Sequence, residues 1–186
     1  VSIGQIRDVD PIDLLGRPPA RLQRADIEAF IRGKSVLVTG AAGSVGSELA
    51  RQIAGLEPSL LFLLDHSENP LLFLESELRS NRPSVPVICQ VGDITDEMVV
   101  KRVMREHCPE VVFNAAAHKH VSLMERVPGE AVKNNVGGTY IVAKAAIEAG
   151  AGTFVLVSTD KAVNPTSVMG ATKRLAELMV HEFNMG

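Results

Sequence analysis

The stretch Val36-Leu37-Val38-Thr39-Gly40-Ala41-Ala42-Gly43-Ser44-Val45-Gly46 decides the fold. An apolar run leads straight into three glycines spaced Gly-x-x-Gly-x-x-Gly, and a helix-forming segment follows at once. The pattern predicts a strand over Ser35–Val38, a tight turn, and a helix over Ser44–Ala54. Gly40 permits the turn, and Gly43 lets the backbone approach a pyrophosphate with no Cβ in the way. Gly46 lets the helix pack close to the sheet. The N–H groups at the helix start, at Ser44 and Val45, then face the phosphates. Three spaced glycines alone are a weak signal. The strand–turn–helix setting is what favours a dinucleotide site over a ligand-free turn.

Outward from this unit the alternation continues. Leu60–Leu64, Pro86–Cys89, Glu110–Phe113 and Thr153–Val157 read as strands. Pro70–Ser80, Asp96–Glu106, a long Gly129–Ala149 and Val168–Phe183 read as helices. The strand segments are unbroken apolar runs rather than in–out alternations, which marks strands buried on both faces. Five strand–helix units in a row predict an α/β fold, a doubly wound, Rossmann-like parallel sheet in the order 3-2-1-4-5. Residues 1–24 are rich in Pro, Arg and Asp, with Pro11, Pro18 and Pro19 as breakers. They are expected to form an irregular arm, with a short helix near Ala25–Ile31. The expected division is arm and short helix over 1–33 and nucleotide-binding domain over 34–186. The chain opens on Val1 and stops at Gly186 as its last helix finishes. It is expected to be an excised segment whose C-terminal substrate part is missing, and to turn over no substrate by itself.

Composition excludes several classes. With 46% hydrophobic and 22% charged residues, the 186-residue chain has a normal globular balance. A net charge of −3 leaves no basic excess for nucleic acid. Apolar runs such as Leu60–Leu64 are far too short to cross a bilayer, and no signal peptide opens the chain. Cys89 and Cys108 suit a reducing compartment better than a disulfide framework.

The strand ends carry the remaining candidates. Asp65 closes the second strand at roughly the distance from Gly40 where an acidic residue bonds the ribose hydroxyls. Its carboxylate would repel a 2′-phosphate, which favours NAD over NADP. No Arg follows it; His66 does. Gly92-Asp93-Ile94 ends the third strand. Asp93 can accept the adenine amino group while Ile94 lies along the ring. Alternatively, Asp93 or Thr95 caps the next helix. After Asn114, the small Ala115, Ala116 and Ala117 leave room for the nicotinamide half. His118-Lys119-His120 lacks a third metal ligand and reads as a polar loop at the mouth of the site, so no metal is expected.

The stretch Val155-Leu156-Val157-Ser158-Thr159-Asp160-Lys161-Ala162-Val163-Asn164-Pro165, followed by Val168-Met169-Gly170-Ala171-Thr172-Lys173-Arg174, resembles the CapD/WbpM/PglF-like polysaccharide-biosynthesis proteins. These are bacterial nucleotide-sugar 4,6-dehydratases of the extended short-chain dehydrogenase/reductase superfamily. Ala115–Val121, Asn135–Thr139 and the arm Arg7–Arg17 match the same pattern. The resemblance implies removal of water from UDP-N-acetylglucosamine to give a 4-keto-6-deoxy sugar for surface glycans. It also implies a cytoplasmic domain in a protein anchored to the bacterial inner membrane by a preceding region. A homo-oligomer is expected, with the helix over 129–149 and the last helix as the candidate face.

Such a dehydratase must oxidise C4, remove the C5 proton, protonate the departing C6 hydroxyl and return the hydride. Thr159 falls where these enzymes keep a hydroxyl for the reacting oxygen. The resemblance makes Asp160 the acid at C6 and Lys161 the base at C5. A Lys base needs burial or a nearby cation to lose its proton. Lys173 matches the lysine of the Tyr-x-x-x-Lys pair and would bond the nicotinamide ribose. The tyrosine position holds Met169, which can take no proton. That departure sinks an ordinary alcohol dehydrogenase and leaves the acceptor of the 4-hydroxyl proton open. Two other functions compete: a nucleotide-sugar 4-epimerase, which needs no acid–base pair at C5 and C6, and a non-catalytic NAD-binding module. A pure binding module has no use for Thr159, Asp160, Lys161 and Lys173 together.

Overall fold

A computed structural model describes residues 24–184. The chain divides into two compact units, residues 1–30 and 31–186. In the first, the described part belongs to helix α1 (Arg24–Ile31). The expected irregular arm lies outside the described residues.

The second unit is built on five parallel strands: β1 (Ser35–Thr39), β2 (Leu60–Asp65), β3 (Val87–Val91), β4 (Val111–Asn114) and β5 (Thr153–Leu156). Their order is β3-β2-β1-β4-β5, as the sequence predicts. In register, Val36 pairs with Leu61 on one side and Val111 on the other. Side chains alternate across each strand, so neighbouring positions feed opposite faces. Leu37, Phe62, Leu64 and Val112 form a core with α4 (Glu97–His107), through Val100, Val103 and Met104, and with α7 (Thr139–Glu148), through Val142 and Ala146. Against β1 and β2 also lies α2 (Ser44–Ala54), with Ala50, Ile53 and Ala54 buried. Helix α3 (Glu68–Asn81) packs on β2 and β3 with Leu71, Leu74 and Leu78 buried.

Burial on both faces holds for β1 and β2 but not for the sheet edges. Ile88 and Val91 of β3 are exposed, and all four residues of β5 are only half-buried. An apolar run records the side chains, not whether a neighbour covers them.

The expected single helix over 129–149 is a composite. After a short α5 (Val121–Met124), helix α6 (Pro128–Ala131) starts with proline in its first turn. It passes into a π-helical segment, Val132–Gly138, and then α7. The last helix, α8, spans Val168–Phe183 as expected, capped by Ser167 Oγ accepting from Gly170 N at 3.1 Å. A fully buried polar relay ties the carboxyl ends of β1 and β4 to α7. Thr39 Oγ1 donates to Asn114 Oδ1 (2.6 Å), and Asn114 Nδ2 donates to Thr139 Oγ1 (3.1 Å). The chain reverses its winding direction between β1 and β4, so the crevice above this relay is the binding position of a doubly wound sheet.

Candidate functional site

The glycine loop sits in that crevice. Gly40 has φ +66, and a Cβ on it would overlap the backbone of Ala116. A Cβ on Gly46, in the first turn of α2, would overlap the Gly40 carbonyl. The two glycines thus allow β1, α2 and the end of β4 to meet. Gly43 is the N-cap of α2 with ordinary extended dihedrals and offers no side-chain acceptor. The N–H groups of the first turn, at Ser44 and Val45, are therefore left for an anion. This backbone-walled cradle, with no side chain at Gly43, fits a pyrophosphate.

Two adjoining cavities flank the loop and share Gly43, Ala115, Ala117 and His118. The first, about 150 Å³, is walled by Asp65, His66, Asp93 and Ile94. Asp65 is buried; Oδ2 accepts from Ala42 N at 2.9 Å and Oδ1 from Ser67 N at 2.8 Å. Each oxygen keeps a second lone pair for a hydroxyl. Asp93 Oδ1 accepts from Thr95 N at 2.7 Å. Burial pushes its carboxyl up, but the Thr95 hydrogen bonds, with His66 and Lys133 nearby, hold it below the usual range. Neither Asp93 nor Thr95 caps α4. Asp96 does, accepting from Met98 N (3.0 Å) and Val99 N (3.2 Å), so the capping alternative for Asp93 falls away.

The second cavity, about 370 Å³, brings Ser44, Val45, Thr159, Lys161, Met169 and Lys173 onto one wall system. Lys173 is buried, and its Nζ donates to Val157 O at 2.6 Å. Burial pulls its pKa down, and the Glu177 carboxylate pushes it back up. Met169 is buried beside it, one helical turn earlier. The Thr159–Lys161 turn is different. Asp160 is highly exposed and does not line the cavity; its Oδ1 accepts from Lys161 Nζ (3.1 Å) and from Thr159 Oγ1 (2.9 Å). These bonds hold the Asp160 carboxyl below its usual range. An acid at C6 must carry a proton and a base at C5 must lack one. This exposed ion pair has the opposite charges, so either role requires the pair to be split or desolvated.

Two groups make contacts that the motifs did not predict. Lys119 lines the second cavity, and its Nζ donates to Ser44 Oγ at 3.0 Å, placing a cation at the start of α2. Asn135 is fully buried in the π-helical segment. Its Oδ1 accepts from His118 N (2.8 Å), while Nδ2 donates to His118 O (3.1 Å) and Thr172 Oγ1 (3.0 Å). One amide thereby fixes the loop after β4 to α8. The Asn134-Asn135 and Gly137-Gly138 pairs, poor helix formers inside an apolar helix, were the available signal. Asn135→Ala leaves the His118 N–H and the Thr172 hydroxyl short of a partner. It should cost about 1–3 kcal/mol in a denaturant titration; an unchanged midpoint would mean that water replaces the amide. Among the described residues no group of three or more His, Cys, Asp or Glu side chains could hold a metal.

A doubly wound parallel sheet, a glycine loop at its first strand–helix turn and a helix-borne lysine in the adjoining crevice define a dinucleotide-binding Rossmann domain of the short-chain dehydrogenase/reductase type. Solved structures agree on the fold. Pen from Bacillus thuringiensis superposes with a TM-score of 0.73 at 33% identity, covering 81% of this chain and 44% of that one. A UDP-glucose 4-epimerase from Stenotrophomonas maltophila, solved with bound NAD, gives 0.72 at 22% identity, with 81% and 48% covered. The chain belongs to the polysaccharide biosynthesis protein family, whose profile matches residues 36–185. It is 50% identical to the probable polysaccharide biosynthesis protein EpsC of Bacillus subtilis, over all of this chain and 31% of that protein. It is 43% identical to an uncharacterized membrane protein of Methanocaldococcus jannaschii (86% and 46% covered). With an inverting UDP-N-acetylglucosamine 4,6-dehydratase of Campylobacter jejuni it shares 32% identity (77% and 42%). The chain thus spans less than half the length of each of these relatives.

Proposed function

We propose that this chain is the cofactor-binding half, with part of the catalytic machinery, of an NAD-dependent UDP-N-acetylglucosamine 4,6-dehydratase in surface-glycan synthesis. The observation that carries the reading is the second cavity, where the glycine loop, Thr159, Lys161 and Lys173 share one space. When bound, a nicotinamide dinucleotide supplies a hydride acceptor and donor. The α2 N-terminus and Lys119 hold its phosphates, Asp65 its adenosine ribose, Asp93 and Ile94 its adenine, and Ala115, Ala116 and Ala117 leave room for its nicotinamide end. Lys173 holds the second ribose. Thr159 bonds the C4 oxygen, Asp160 protonates the C6 hydroxyl and Lys161 takes the C5 proton. Dehydration is favoured over 4-epimerisation because an epimerase has no use for Asp160 and Lys161.

Among the described residues no helix is long and apolar enough to cross a membrane. The Methanocaldococcus relative is named as a membrane protein, which supports an anchor elsewhere in the whole protein; a cytoplasmic position for this domain is part of the same proposal. Exposed Tyr140 and Ile147 of α7 and Leu175 and Leu178 of α8 support a homo-oligomer through these helices.

Calorimetric titration with both cofactors tests the site. NAD should bind more tightly than NADP by about ten- to a hundredfold, because Asp65 meets the 2′ position with a negative charge. Asp65→Ala should shrink that gap. Equal affinities in the unmodified protein would remove Asp65 from the role.

A further inference from the structure

The turn that carries Thr159, Asp160 and Lys161 is tied to α8 at three successive points. Lys173 Nζ donates to Val157 O at 2.6 Å. One helical turn along the same face, Glu177 Oε1 accepts from Ser158 Oγ at 2.5 Å, and Glu177 Oε2 accepts from Arg174 Nη1 at 3.0 Å. At the other end, the Lys161 carbonyl lies against Gly170, where any Cβ would overlap it. Two of these ties are explained by packing and by the cofactor lysine. The third is a charged acceptor spent on the residue just before Thr159. Charge-assisted O–H···O⁻ bonds are short and about twice as strong as neutral ones, and this one has that length. The Ser158 bond is also the main reason the Glu177 carboxyl lies below its usual range, with Arg174 and Lys173 adding to it.

The geometry points to Glu177 as a positioning residue for the reactive turn: through Ser158 it fixes Thr159 and Lys161 relative to Met169 and Lys173. Glu177 itself lines neither cavity beside the glycine loop, so it acts through Ser158 rather than on a substrate. The catalytic part of this inference rests on the dehydratase reading; the tie itself does not.

The test uses the whole protein carrying Glu177→Ala, Ser158→Ala, both together, and Glu177→Gln. Amide hydrogen exchange over residues 158–162 is read beside turnover of UDP-N-acetylglucosamine. Both single alanine variants should speed exchange in that segment and lower kcat roughly tenfold; Glu177→Ala, whose side chain lies outside both cavities while Ser158 lines the second, should leave KM and NAD affinity unchanged. The double variant should be no worse than either single one. Glu177→Gln, which keeps a carbonyl acceptor for the Ser158 hydroxyl, should recover part of both losses. Unchanged exchange in Glu177→Ala overturns the proposal, whatever the enzyme catalyses. So do losses that multiply in the double variant, or losses in Glu177→Ala that fall on KM or NAD affinity. If the unmodified protein dehydrates nothing but Glu177→Ala still frees residues 158–162, the dehydratase reading fails and the tie stands.

Discussion

Lys161→Ala in the whole enzyme is expected to abolish uptake of solvent deuterium at C5 while leaving NAD binding unchanged, with turnover falling by about a hundredfold to ten-thousandfold. Lys161 lines the second cavity but makes no bond to the glycine loop, so its loss should spare the cofactor site. Asp160→Asn keeps the size of the side chain and removes the proton donor. It should stall the enzyme after oxidation of C4, with reduced cofactor visible by its absorbance, at a loss of similar order. Met169→Ala should cost far less, because a thioether offers no proton. The ordering carries the meaning. If Met169→Ala were as damaging as Lys161→Ala while Asp160→Asn stayed active, the turn would be a packing element and its catalytic assignment wrong. In the present chain Asp160 and Lys161 neutralise each other in an exposed pair. The variants therefore also test whether substrate and the remainder of the enzyme separate them. A neutral Lys161 beside a protonated Asp160 is the state that dehydration needs, and burial of both disfavours their charged forms.

Gly46→Ala should be a strongly disruptive single-carbon change in the cofactor half. Its Cβ has nowhere to go, because the atom it meets is the Gly40 carbonyl, part of a turn whose own φ is positive. Forcing α2 away from β1 should cost about 1–3 kcal/mol of stability, as overpacked interiors generally do. It also displaces the helix N-terminus that would hold the phosphates, so NAD affinity should fall with it. Gly43→Ala is the informative contrast. A Cβ there is in tight contact with Gly40 O, at 3.2 Å, rather than overlapping it, so the stability loss should be smaller than for Gly46→Ala while affinity drops. Thermal melts with and without NAD separate the two effects. Equal melting temperatures for Gly46→Ala and the unmodified protein would contradict the close packing of α2 on β1.

The strand order and the glycine loop were legible because both depend on local pattern: apolar runs of strand length, and glycines where a turn must be tight. What escaped the sequence depends on partners far along the chain. Asn135 looks like a weak position in a long helix. Only the return of the loop after β4 and of α8 brings His118 and Thr172 to its amide, within a π-helical turn. Asp93 and Asp96 are equally good caps by composition, and the start of α4 decides between them. The less covered edges β3 and β5 are mostly apolar like the buried β2, since hydrophobicity does not record which strand has a neighbour. Lys173 was singled out by its motif, but its bond to Val157 O and the adjacent Glu177 tie are tertiary facts.

The most direct test of the dehydratase reading is to incubate the whole protein with UDP-N-acetylglucosamine in deuterated water and follow the product by NMR. A 4-keto-6-deoxy sugar with deuterium at C5 is the expected result. A C4-inverted sugar with its C6 hydroxyl intact and no deuterium at C5 would contradict it and make the enzyme an epimerase.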